Sequence, residues 1–183
     1  CLPEKFSQVV ANGDEAAQEA TSHLIARGAR RIAFIGGPNH LDMVKRRKHG
    51  YLEALRDHRL PIDRDLVLCG KIDFDEARQA TLQLLQSEKR PDAILAFNDI
   101  ITYAAFDAIK ACGLRIPDDV AIIGFTDGDS AAFVTPKLSA IMDQAHEQGF
   151  KSCELLLRHI GGDQHIYREI IPMILKIRES SEK

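Results

Sequence analysis

Apolar residues along this chain fall into two alternating patterns. Short, nearly unbroken apolar runs occupy 8–11, 31–36, 66–70, 92–97 and 120–125, and longer stretches between them carry apolar residues at helical spacing. Runs that do not alternate with polar residues predict strands covered on both faces, which is the signature of a parallel sheet with helices on each side. The pattern therefore predicts an α/β fold built from repeated β-α units.

The clearest helix covers 99–111, where Ile101, Ala105, Ala108 and Ile109 recur at i, i+4, i+7 and i+8 and Gly113 follows as the stop. An earlier helix over about 15–26 has Asn12-Gly13-Asp14 ahead of it to supply an N-cap, and Gly28 behind it. Its sheet-facing stripe holds Ala17, Ala20 and Leu24. After Phe125 come a loop rich in Asp, Gly and Ser, then Pro136, and a short apolar run at 138–142. A last helix presents Cys153, Leu156, Leu157 and Ile160 on one face, Gly161-Gly162 turns the chain, and 165–177 reads as one or two strands broken at Pro172.

Two of the strands end alike. Residues 93–99 and 121–127 share the pattern A-I-x-x-F-x-D, so two apolar runs close on the same polar punctuation. In a parallel sheet all carboxyl ends lie along one edge, where open α/β folds place their ligands. The polar residues of that edge are Gly37-Pro38-Asn39, 71–73, Asn98-Asp99 and Thr126-Asp127.

With 183 residues the chain suits about one domain, and a chain of this size buries roughly 70% of its unfolded surface without a staple. Hydrophobic residues at 45% and charged residues at 28% exclude wholesale disorder. The 24 Lys and Arg are outnumbered by 27 Asp and Glu, so the chain lacks the cationic excess of a protein that coats nucleic acid by itself. Its apolar runs fall far short of the ~20 residues a membrane helix needs. No basic-then-apolar leader opens it, and its four cysteines are scattered without a C-x-x-C pair, which reads as buried free thiols in a reducing compartment.

The chemistry-bearing motifs are mostly negative. Ile35-Gly36-Gly37-Pro38 lacks the third glycine of a dinucleotide loop, and no Walker sequence, H-E-x-x-H, Cys/His ligand spacing or G-x-S-x-G occurs. Gly36 and Gly37 read as a sharp turn off the strand, and Asp127-Gly128-Asp129 as a turn rather than a calcium loop. No metal or cofactor is expected. The basic cluster 45–49 splays around a helix as a solvated face, except for Arg47. Gly50, Tyr51, Ala54 and Leu55 follow it at three, four, seven and eight positions, which puts Arg47 on the inward stripe. A cation near a helix start opposes the dipole by ~0.3–1 kcal/mol, so Arg47 needs an answering group, either Asp42 or a bound ligand. Asn98 and Asp99 can both cap the 99–111 helix; capping is assigned to Asp99 and ligand contact to Asn98, whose amide offers donors and acceptors together.

With those residues in view, the sequence resembles the effector-sensing module of the lactose-repressor/galactose-repressor (LacI/GalR) family of bacterial transcription regulators. The resemblance runs from about residue 9 to 180 and rests on an ordered set of stretches: 20–28 (ATSHLIARG), 30–38 (RRIAFIGGP), 47–51 (RKHGY), Asn98-Asp99 and 113–125 (GLRIPDDVAIIGF). It implies a periplasmic-binding-protein-like core of two α/β lobes joined by crossing strands, with one lobe complete here and part of the other. Residues 1–12 would end the N-terminal lobe, 13–141 form the C-terminal lobe, 142–165 return to the first lobe, and 166–183 close with strands and a tail. The family's helix-turn-helix and the first part of its core have no counterpart in this chain.

The resemblance places Arg47 on the family's effector-binding arginine and Asn98 on the polar residue after the corresponding strand. Ile72, or Phe74 by a small shift, falls where the family has a stacking aromatic ring; Thr126, with Asp127 next, replaces the usual aspartate, and Asp143 replaces the customary glutamine. The candidate ligand-binding set is Arg47, Asn98, Thr126, Asp127, Ile72, Phe74, Met43 and Asp143. Arg47 would anchor oxygen atoms, Asn98 orient the ligand, Thr126 or Asp127 accept hydrogen bonds, and Ile72 or Phe74 form an apolar wall. Losing a carboxylate at Thr126 while keeping Arg47 argues for an effector bearing a phosphate, carboxylate or oxo group. The implied protein is a non-enzymatic, cytoplasmic repressor, homodimeric and free of membrane contact. It would sense a sugar, sugar derivative or anionic metabolite, and touch operator DNA only through a helix-turn-helix outside this chain. The competing expectation is a periplasmic sugar-binding protein that serves a transporter.

Overall fold

The computed structural model describes residues 5–126 and 129–182. Its elements run β1 (Gln8–Ala11), α1 (Gly13–Ala26), β2 (Ile32–Gly36), α2 (Asp42–Asp57), β3 (Val67–Cys69), α3 (Phe74–Leu85), β4 (Ala93–Ala96), α4 (Asp99–Ala111), β5 (Ala121–Phe125), β6 (Ser139–Met142), α5 (Ala145–Ile160), β7 (Arg168–Ile171) and β8 (Ile174–Lys176). All the apolar runs read as strands are strands, and the helix expected over 99–111 has those bounds.

Six strands form one sheet in the order β3-β2-β4-β5-β6-β8, parallel except for β8, which runs antiparallel to β6 at the edge. From β2 the chain goes outward to β3 and then returns to the other side as β4, so the carboxyl ends of β2 and β4 flank the point where strand order reverses. Successive residues of β5 face opposite ways. Gly124 lies against Thr102 of α4, whereas the Phe125 ring lies under Arg47 of α2. Helices thus cover both faces, as the unbroken apolar strands predict.

The second sheet has two strands, β1 and β7, paired in parallel, with α5 packed on them. The chain passes between the two sheets three times, at 11–13, 142–145 and 171–174. These crossings are tied together: Asn12 Oδ1 accepts from the Met173 N–H at 2.6 Å, and Gln144 Nε2 donates to Pro172 O at 2.7 Å. Asn12 therefore is not the side-chain cap of α1 that its position suggested; its amide is committed to a crossing, and no side-chain cap bond forms there.

Several local expectations change for packing reasons. Gly36 and Gly37 have no positive φ. They are small because a Cβ on Gly36 would stand 2.6 Å from the Phe34 ring, and one on Gly37 3.1 Å from Ile72 and 3.2 Å from Phe97. Among the described residues the thiols are not buried: Cys69 and Cys112 are half-buried and Cys153 is exposed. On α5 only Leu155 is buried, and the expected face of Leu156, Leu157 and Ile160 is exposed. The closing tail is better fixed than its composition suggested. Ser180 Oγ donates to Ile122 O at 2.6 Å, and Ser139 Oγ meets Ser181 Oγ at 2.7 Å.

Helix α1 crosses α2 so closely that a Cβ on Gly50 would sit 1.9 Å from Asp14 O. Gly50→Ala is expected to destabilise the fold by roughly 1–3 kcal/mol through overpacking against backbone, read as a lower urea midpoint at unchanged slope. A second expectation concerns His23, which joins α1 to the tail through Nε2 and Ser181 Oγ at 3.1 Å. Burial pushes its pKa below the ordinary 6.5. A depressed pKa means that the unfolded chain takes the proton first. This contribution to stability is thus present above pH 6.5 and lost as pH falls through the folded value. NMR titration should give a His23 midpoint below 6.5, with tail amides losing protection over the same range.

Candidate functional site

Arg47 is carried inward by the α2 stripe and is only 7% exposed. Its Nη1 donates to Phe97 O at 2.5 Å, just past β4. The guanidinium carbon lies 3.9 Å from the Phe125 ring centroid and 5.1 Å from that of Phe97. A desolvated cation on aromatic faces gains about 2 kcal/mol, which offsets part of the cost of burying it. Burial lowers the Arg47 pKa to about 10, opposed by Asp143 and then Asp99, so the group stays charged near neutrality. Its stem passes beneath α1, where a Cβ on Gly13 would be 3.6 Å from Cγ.

Asp42 does not answer Arg47. It pairs with Arg46 at 3.6 Å, its i+4 neighbour on the outer face, and the facing acid is Asp143, whose Oδ2 lies 4.0 Å from Arg47 Nη2. Arg47 stands five positions after Asp42, too far round the helix for a shared face.

The cap expected of Asp99 is made by Asn98 instead. Asn98 is the N-cap of α4, its Oδ1 accepting from Ile101 N at 3.0 Å, while Asp99 is the first helical residue. Capping uses only the carbonyl of the Asn98 amide, so its Nδ2 donors remain for another partner. Thr126 is 2% exposed, and its Oγ1 has no hydrogen-bond partner among the described residues. Asp127 lies outside the described residues. Ile72 rests over Gly37 beside Phe97, whereas Phe74 opens α3 and is 40% exposed. Met43, one helical turn before Arg47, is about half exposed.

The structure thus gathers Arg47, Ile72 and Asp143, with Asn98 and Thr126 adjoining, around the carboxyl ends of β2, β4, β5 and β6. Sequence reading overlooked the floor, Phe97 and Phe125. The signal was present, because they are the phenylalanines of the A-I-x-x-F-x-D echo. Away from this rim, a hollow of about 600 Å³ lies between β1 and α5, where Phe6, Ser7, Leu155, His159 and Ile166 line it. Among the described residues no cluster of His, Cys, Asp or Glu is placed to hold a metal ion, and no helix is long and apolar enough to cross a membrane.

A six-stranded, mainly parallel sheet with a polar rim at its topological reversal, crossing three times to a second sheet, defines a ligand-binding protein of the periplasmic-binding type. The family model of the periplasmic binding protein-like domain matches residues 21–181, and the chain belongs to that family, in the form found in LacI/GalR regulators. It is 32% identical over 166 residues to the HTH-type transcriptional repressor PurR of Aliivibrio salmonicida, covering 91% of this chain and 50% of that protein. Among solved structures, a LacI-family regulatory protein from Chloroflexus aggregans superposes with a TM-score of 0.92 at 35% identity, over 96% of this chain and 63% of that one. The transcriptional regulator CelR in complex with cellobiose gives 0.89 at 31%, over 97% and 54%. The chain spans about half the length of the curated repressors it matches.

The capping bond of Asn98 and its amide donors are separable. Asn98→Ala removes the cap and should cost about 1 kcal/mol. Asn98→Asp keeps the cap while deleting the amide donors, and should stay within about 0.5 kcal/mol of the parent in urea unfolding.

Proposed function

We propose that this chain is the effector-sensing region of a LacI/GalR-type transcriptional repressor. A small molecule held at the strand-end rim would bias how the two α/β parts sit, and through them the DNA-binding state of the whole protein. Residues 13–141 act as the C-terminal lobe, 1–12 and 142–165 as parts of the N-terminal lobe, and 166–183 as the closing segment. The whole protein works in the cytoplasm as a homodimer, and reaches operator DNA through a helix-turn-helix outside this chain. It performs no catalysis. The relatives are named as repressors, which favours this reading over a transporter's binding protein.

The observation that carries the proposal is Arg47, a cation buried on two aromatic rings at the sheet's reversal point. One protein hydrogen bond is made by its Nη1, which leaves further guanidinium donors for a ligand. Such a planar fork suits oxygen-rich ligands: a sugar, a sugar derivative or an anionic metabolite. Binding can shift the regulator only by its affinity difference between two states, typically about 1–3 kcal/mol.

Thermal-shift measurements with cellobiose, neutral monosaccharides, uronates and sugar phosphates test this. At least one class should raise the melting temperature. Arg47→Ala should abolish most of that rise while its circular dichroism stays folded. An undiminished rise in the variant would exclude Arg47 from the site.

A further inference from the structure

Thr126 removes one carboxylate from the rim, and Asp143 returns one. Asp143 follows β6 at the start of a crossing. Its Oδ1 accepts from Gln148 Nε2 at 3.0 Å, and the neighbouring Gln144 is bonded to Pro172 O at 2.7 Å, so the segment carrying the carboxylate is held on two sides. Its Oδ2 faces Arg47 Nη2 at 4.0 Å. That separation is longer than a hydrogen bond, which ends near ~3.2 Å for N–H···O. The carboxylate thus stands across from the guanidinium without closing on it.

A group entering beside this pair meets a donor on one side and an acceptor on the other. A hydroxyl satisfies both, accepting from Arg47 and donating to Asp143. An oxyanion satisfies Arg47 alone, has no proton to give, and meets the Asp143 carboxylate as a like charge. Asp99 adds a second negative charge felt at Arg47. Among partly buried groups, a like charge a few ångströms away weakens binding by about tenfold or more.

We propose that Asp143 is a charge filter at the Arg47 end of the rim, selecting effectors that present a neutral hydroxyl there over those that present an oxyanion. This rests on Arg47 being an effector anchor. It reverses the charge preference expected from Thr126 alone.

Inorganic phosphate is the probe, titrated into the chain and followed by isothermal titration calorimetry. Asp143→Asn keeps the size and the bond from Gln148 while removing the charge. It should bind phosphate at least about tenfold more tightly than the parent. Equal or weaker binding in Asp143→Asn, or binding in neither protein, overturns the filter. The double variant Arg47→Lys/Asp143→Asn should lose the gain, because lysine lacks the planar fork; a gain that survives shows phosphate held elsewhere and also overturns the filter. Failure of the underlying reading is seen separately, as a ligand-induced thermal shift that Arg47→Ala leaves unchanged. A filter that fails while that shift depends on Arg47 leaves the anchor standing.

Discussion

The fold's ligand edge depends on keeping one positive charge inside an apolar sheet end. A guanidinium stripped of water is costly unless its field and its N–H groups are answered. Arg47 is answered by the Phe97 carbonyl, by two ring faces and, at longer range, by Asp143. Together these lie at the ends of three strands, so the arginine gathers β4, β5 and β6 at their carboxyl ends. The small residues nearby serve the same end, since Gly13 leaves room for its stem and Gly50 lets α2 approach α1.

Much of this frame is readable in the sequence because it rests on periodicity. Unbroken apolar runs locate the strands, the i, i+3, i+4, i+7 pattern turns Arg47 inward, and Gly28 and Gly113 mark helix ends at positive φ. What stays hidden depends on contacts distant in the chain. Asn12 looks like a cap until Met173, 161 residues away, claims its carbonyl oxygen. Ser180 and Ser181 look like a solvated tail until Ile122 and Ser139 are found beneath them. The apolar spacing of α5 is legible, but it does not tell that Leu156, Leu157 and Ile160 stay exposed while Leu155 is the residue that is buried. For the site, the helical repeat shows that Arg47 points inward, yet not which acid faces it.

Family membership and ligand chemistry come from different residues. The sheet order, the reversal between β2 and β4 and the glycines at close approaches define the architecture and carry no information about a particular effector. In the proposed reading the effector would be read by the residues that depart from the family pattern, Ile72, Thr126 and Asp143, grouped around Arg47. Thr126 shows the tension between these roles, being buried yet left with a hydroxyl that nothing among the described residues satisfies.

The three strands of chain that join the sheets are cross-braced, with Asn12 fastened to Met173 and Gln144 to Pro172. Linkers fastened to one another cannot spread apart individually. Any swing of one sheet against the other must therefore proceed as a common twist about the braced bundle, like a torsion bar. Arg46, which reaches Ala11 O at 3.4 Å, and Arg47, which faces Asp143, place one end of α2 against two of the three linkers, so a small roll of that helix bears on the bar directly.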